Sequence, residues 1–167
     1  MAKFNAQVFL QNSPAQLRQG DWMSDKRFLD ALRTSWLNQY ADYIGQTKAS
    51  DYIQLLDSEG RLFSHYEPLT IHAWVGNKIV GVSALRPLGE LSLITMLEIV
   101  PEFRGKGIGG QLVSALSTAS DKLMAHVSIH QPRAIQFYSG HGFHVLQRTQ
   151  VQHGQHMLEF DVVAKSC

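Results

Sequence analysis

The chain has 167 residues, 44% hydrophobic and 17% charged, enough for one domain with a sizeable core and short for two. Its formal net charge is +1 with eight histidines counted neutral, so no strong field recruits nucleic acid or an anionic membrane surface. A single cysteine, Cys167, excludes an internal disulfide or a cysteine-rich metal site, and no apolar run approaches the roughly 18–20 residues of a membrane span.

In chain order, a short strand is expected over 6–10, ended by Asn12-Ser13-Pro14. Phe28, Leu32, Trp36, Tyr40 and Ile44 recur every four residues, one stripe of a helix, and Gly45 stands where a C-terminal cap belongs. A shorter helix is expected over 49–56. Strands follow over 69–75 and 78–85, joined by Gly76-Asn77, a pair suited to a tight hairpin turn. Residues 91–100 alternate with apolar side chains on both faces, which marks a central strand buried on both sides. Ile108, Leu112, Val113, Leu116 and Leu123 mark an amphipathic helix to about residue 124. A strand over 126–129, a helix over 131–139 and closing strands over 143–151 and 156–163 complete a mixed α/β domain.

Between central strand and helix lies Val100-Pro101-Glu102-Phe103-Arg104-Gly105-Lys106-Gly107-Ile108-Gly109-Gly110. Glycines without Cβ atoms admit a ligand close to the backbone. The N–H groups of a helix start, helped by its dipole, make an anion site, and Arg104 and Lys106 add charge. A diphosphate suits such a site. Gly105, Gly107 and Gly110 also satisfy the loose dinucleotide pattern G-x-G-x-x-G, but 126–131 holds none of the acidic residues that pattern needs. Lys106 is followed by glycine, not by the Ser or Thr of a Walker loop. Glycines that only ease a tight strand-to-helix turn are the remaining reading.

Leu97 to Gly109, with Pro101 and the run Arg104-x-x-Gly107-x-Gly109, resembles the signature of the GCN5-related N-acetyltransferases (GNAT). Ala134-Ile135-Gln136-Phe137-Tyr138 followed by Gly142-Phe143 resembles a second element of that family. The resemblance covers about 69–163, taken as the CoA-binding core of a single domain over 1–167. It implies an α/β acyl-CoA N-acyltransferase fold, a splayed, mixed, mostly antiparallel central sheet of six or seven strands flanked by helices. It also implies acetyl-CoA as cosubstrate, with the pyrophosphate held by backbone amides of Arg104, Gly105, Lys106, Gly107, Ile108 and Gly109. The pantetheine arm is expected along Ile99 and Val100, with Gln131 where the family often has an asparagine on CoA. Transfer to a primary amine then uses Tyr138 as the acid that protonates the departing thiolate. Glu98 is the candidate base and His126 its alternative.

The acceptor, a small-molecule or protein amine, is left unnamed. Tyr43 and Tyr52 are candidates to line its pocket, whereas Trp36 and Tyr40 read as core. The pairs His141/His144 and His153/His156 read as surface histidines, so no metal is expected. Without an apolar leader-like segment at the N-terminus, the cytoplasm is the expected compartment. No partner of nucleic acid or membrane is expected, and homodimerisation is left open. Two other functions compete: a CoA-binding regulatory module without transfer chemistry, and a nucleotide-binding oxidoreductase.

Overall fold

The structure, a computed structural model of the chain, describes residues 15–19, 25–58, 69–153 and 156–167; the strand expected over 6–10 lies outside them. Strand β1 (Gln16–Gln19) is followed by helices α1 (Lys26–Ile44) and α2 (Gln46–Ser58), then β2 (Leu69–Val75), β3 (Lys78–Leu88) and β4 (Leu91–Ile99). A short 3-10 turn (Pro101–Phe103) leads to α3 (Ile108–Ser117), β5 (Lys122–Ser128), α4 (Pro132–Gly140), β6 (His144–His153) and β7 (His156–Ser166). The seven strands form one sheet in the order β1-β2-β3-β4-β5-β7-β6. All neighbours are antiparallel except β4 and β5, whose parallel pairing needs the crossover that α3 supplies.

Helix α1 starts at Asp25, whose carboxylate accepts the Phe28 N–H at 3.0 Å, satisfying one of the unpaired donors of a helix start. Phe28 and Leu32 from its stripe are buried, with Trp36 and Tyr40 partly buried against the same core. Gly45, at φ +83°, sends its N–H to the Ala41 carbonyl and accepts from Ala49 with its own carbonyl. One glycine therefore ends α1 and starts α2, which begins at Gln46 rather than residue 49. The ring of Tyr52 is buried and meets Tyr40 edge-on at 4.9 Å, so Tyr52 is core rather than acceptor lining. The Tyr43 side chain lies outside the described residues.

Two expected boundaries move furthest. Helix α3 ends at Ser117, because Thr118 folds its hydroxyl onto the Ala115 carbonyl (2.7 Å) and the Ala119 N–H reaches only Leu116. Leu123, seven residues after Leu116, matches the helical period by coincidence and belongs to β5, which starts at Lys122 rather than 126. Strand β1 had no apolar alternation to betray it, since all four residues are exposed; Arg18 instead lies over the Trp74 ring at 4.5 Å. Among the described residues no helix is long and apolar enough to cross a membrane.

The core is built around Val80, Val82, Leu112, Leu116 and Leu123, each at most 1% exposed. Leu112→Ala in α3 should lower stability by about 2–5 kcal/mol, lost transfer energy plus a residual cavity. Urea unfolding measures this as a fall in midpoint at unchanged slope.

Candidate active site

Strands β4 and β5 pair only at Ser92–Leu123, Leu93–Met124 and Ile94–Ala125. Beyond Ile94 and Ala125 both strands continue, each tied on its other edge: β4 pairs with β3 up to Gly81–Ile99, and β5 with β7 up to Ser128–Phe160. The two limbs diverge and leave a wedge in the sheet. Val100 donates its N–H to the Val80 carbonyl at 2.9 Å, so by the alternation of an antiparallel ladder Leu97 and Ile99 turn their N–H and C=O groups toward the wedge. The Val100 carbonyl accepts from Phe103 at 3.0 Å. Of the two residues expected along the pantetheine arm, Ile99 faces the wedge and Val100 is bonded into sheet and turn.

The glycine loop stands at the mouth of this wedge. Its first amide, that of Arg104, is bonded to the Pro101 carbonyl at 3.2 Å. Gly105 and Gly107 have φ of +71° and +82°, a region that costs an L-residue roughly 1–2 kcal/mol. A Cβ on either would meet nothing within 4 Å, so their requirement is conformational and the space beside them is open. Gly107 caps α3, and the first helical bond runs from Gln111 to Gly107. The N–H groups of Ile108, Gly109 and Gly110 precede it and point out of the helix start. Gly109 and Gly110 serve a second purpose that the sequence did not reveal. Added Cβ atoms there would lie 2.9 Å from the Phe137 ring and 2.8 Å from His141 Nε2, so these glycines let α3 sit against α4. Lys106 holds its ammonium 5.2 Å over the Phe103 ring.

Glu98 and Tyr138 come together at the wedge. Burial pushes the Glu98 carboxyl up to about 7, opposed by a hydrogen bond from the Trp36 indole and by the positive charge of Arg104. Tyr138, buried between the rings of Phe137 and Phe143, has its phenol pushed up first by burial and then by the nearby Glu98 charge. A carboxyl raised to about 7 and a phenol that keeps its proton are groups suited to base and acid work. Arg104 turns its side chain away from the loop: Nε donates to the Ile99 carbonyl at 2.9 Å and Nη2 to the Ser35 hydroxyl at 2.7 Å.

Ser35 and Trp36 are thus the site neighbours that the sequence reading missed. Trp36 sat on an apolar stripe and read as core, although an indole N–H needs a partner when buried. Ser35, 6% exposed within α1, was the available signal, a buried hydroxyl on a helix. Gln131 precedes α4, donating its backbone N–H to the Ser128 carbonyl and accepting from Ala134 and Ile135. His126 is exposed on β5, its ring 6.4 Å from Phe160. His144 is exposed and His141 is half-buried, its Nδ1 2.8 Å from the Phe137 carbonyl and its ring tilted against Phe137 at 4.4 Å. The side chains of His153 and His156 lie outside the described residues. Among the described residues no three His, Cys, Asp or Glu side chains cluster as metal ligands.

A family model described as an acetyltransferase (GNAT) domain matches residues 39–163. No curated protein sequence matches the chain significantly. Solved structures of the same fold include a GCN5-related N-acetyltransferase from Rhodopseudomonas palustris, at TM-score 0.72 and 22% identity over 93% of this chain and 97% of that one. The PaiA N-acetyltransferase of Thermoplasma acidophilum, solved with coenzyme A, superposes at TM-score 0.72 and 17% identity, over 93% and 100%. A GNAT acetyltransferase from Elizabethkingia anophelis with acetyl-CoA bound gives 0.59 and 14%, over 93% and 99%.

Two predictions follow from the loop and the carboxylate. Gly109→Ala should cost about 1–3 kcal/mol by overpacking against Phe137, read by thermal unfolding. The Glu98 carboxyl is raised from 4.5 to about 7, so its stabilising contribution is present below pH 4.5 and lost as pH rises through 7. Relative to wild type, Glu98→Gln should therefore gain melting temperature between pH 5 and pH 8.

Proposed function

The chain belongs to the GNAT acetyltransferase family, and on that premise we propose that it transfers acetyl from acetyl-CoA directly to the primary amine of an acceptor. The observation that carries this reading is the meeting of Glu98 and Tyr138 in the wedge between β4 and β5, beside the glycine loop. The loop suits a pyrophosphate: N–H groups of a helix start, open space at Gly105 and Gly107, and the cationic Lys106 between them. The outward polar groups of Leu97 and Ile99 suit an extended amide-bearing arm laid along β4 as a further strand. Acetyl-CoA supplies an activated acetyl group as a thioester.

The residues then divide the proton work. An alkyl ammonium has a pKa of about 10.4 and must lose a proton to attack a carbonyl carbon. Glu98, about half ionised near pH 7, accepts that proton, and the lone pair of the neutral amine then forms the C–N bond as the C–S bond breaks. Tyr138 gives its proton to the departing sulfur, and the second proton shed by the nitrogen restores the phenol. The two steps help each other, because the Glu98 charge is one of the causes that raise Tyr138. Once Glu98 is neutralised by the amine proton, Tyr138 becomes the stronger acid at the moment the thiolate needs it. A regulatory module without chemistry has no use for this coupling, and the dinucleotide reading lacks its acidic residue. The exposed lone thiol of Cys167 suits the cytoplasm.

Calorimetric titration should give micromolar binding of acetyl-CoA and none of NADPH; the reverse result sinks the assignment. Tyr138→Phe should lower kcat by about 10² or more while acetyl-CoA still binds, and unchanged transfer to every accepted amine would remove Tyr138 from the mechanism. Since Glu98 acts ionised, kcat/KM should climb with pH through about 7. Trp36→Phe, by removing a donor to the carboxylate, should move that limb to higher pH.

A further inference from the structure

Two consecutive residues of α1 reach two neighbouring points of the active site. Trp36 hydrogen-bonds the Glu98 carboxyl, and Ser35 accepts from Arg104 Nη2 at 2.7 Å. The same guanidinium donates from Nε, at 2.9 Å, to the carbonyl of Ile99, the residue that follows Glu98. Arg104 is thus tied to α1 at one end and to the end of β4 at the other. The Ile99 side chain lies on the α3 side of the sheet, since a Cβ on Gly81 would be 2.6 Å from Ile99 Cδ1 and 3.4 Å from Leu112 Cδ1. By strand alternation Glu98 points to the opposite face, where Trp36 of α1 meets it.

The two ends of the Ser35–Arg104 bond differ in burial. Arg104 is exposed, whereas Ser35 is buried. An exposed arginine loses rotamer freedom when it is held in one place, and a bond to a carbonyl that water can also reach contributes little. The bond to the buried hydroxyl is harder for water to replace, and a buried hydroxyl needs a partner in its turn. Of the two contacts, the one to Ser35 therefore decides where the guanidinium stays.

Resting on the reading of Glu98 as the base, we propose that Ser35 is a positioning residue: its hydroxyl holds the Arg104 guanidinium against the end of β4, so that a fixed positive charge stands beside the carboxylate that takes the amine proton. The groups that act on Glu98 come from three elements, Trp36 of α1, Arg104 of the loop and Tyr138 of α4. Its ladder partner on β3 is the uncharged Val82. Lys106, the other cation of the loop, lies over the Phe103 ring, and Asp30 and Arg33 of α1 pair with each other at 3.2 Å. Without its hold on Ser35 the guanidinium is drawn into solvent, and ionised Glu98 loses the charge that favours it. The carboxyl then keeps its proton to higher pH.

The test follows Glu98 itself, by NMR titration of the full chain carrying 13C at the glutamate side-chain carboxyls; its resonance is the one absent from Glu98→Gln. Ser35→Ala, which places the strongest helix former within α1, should raise the Glu98 midpoint by about half a pH unit, a modest effect because Arg104 is exposed. The same shift should lower kcat/KM about three-fold on the acid side of the limb, and the deficit should fade at higher pH, where Glu98 is ionised in both proteins. Ser35→Thr, which keeps the hydroxyl, should restore the wild-type midpoint. Arg104→Met should also raise it, and adding Ser35→Ala to Arg104→Met should raise it no further. An unmoved or lowered midpoint in Ser35→Ala, no rescue by threonine, or an increment that survives in the Arg104→Met background would each overturn the proposal. Titration and rate profile together separate the two readings. A midpoint that moves while the rate limb stays put keeps the role of Ser35 and removes Glu98 as the base. A limb abolished by Glu98→Gln, with an unmoved midpoint in Ser35→Ala, does the opposite.

Discussion

The architecture turns on a pairing that stops early. Three residue pairs join β4 to β5, and then both strands run on without each other. Unpaired backbone in the middle of a sheet is costly unless something else meets its N–H and C=O groups. Here the divergence persists because each strand is anchored on its far edge, β4 by β3 and β5 by β7 along its whole length. An opening maintained in this way exposes donors and acceptors of extended backbone, which is what an amide-bearing arm needs. In the structure Arg104 meets part of that demand at the Ile99 carbonyl.

The same opening sets the electrostatics. Glu98 stands at the end of β4 among groups that strip its water, and loss of water raises a carboxyl. Trp36 and Arg104 pull it back part of the way, and the outcome is a group balanced near neutrality. Both moderators are tied to α1: Trp36 is part of it, and Arg104 reaches its Ser35 hydroxyl. Helix α1 therefore sets part of the proton affinity of Glu98. Tyr138 feels Glu98 in turn, so a proton gained on one side of the wedge eases the loss of a proton on the other.

The glycine loop combines two kinds of requirement in six residues. Gly105 and Gly107 are needed for backbone angles, whereas Gly109 and Gly110 are needed for room, since α4 brings Phe137 and His141 against them. Tyr138 is on that same helix. The close approach of α3 to α4 is therefore what brings Tyr138 to the same corner as the glycine-rich helix start.

The sequence by itself determined much of this. The four-residue stripe of α1, the Gly76-Asn77 turn, the doubly apolar β4 and the glycine loop are local signals, each read from the spacing of side chains along one element, and the order of elements follows from them. The resemblance of the loop and the Ala134–Tyr138 segment to the GNAT family pointed to Glu98 and Tyr138. Only the tertiary structure decided what depends on neighbours remote in the chain. Exposed β1 has no periodicity of its own and exists by pairing with β2. Leu123 belongs to a strand because Thr118 ends the helix before it and Lys165 pairs with it from the other end of the chain. Tyr52 is core because Tyr40 covers it. Trp36 reaches Glu98 across 62 residues of chain and Arg104 reaches Ser35 across 69. No window of sequence contains both partners of such a contact, and the proton affinity of a buried carboxyl is set by those partners.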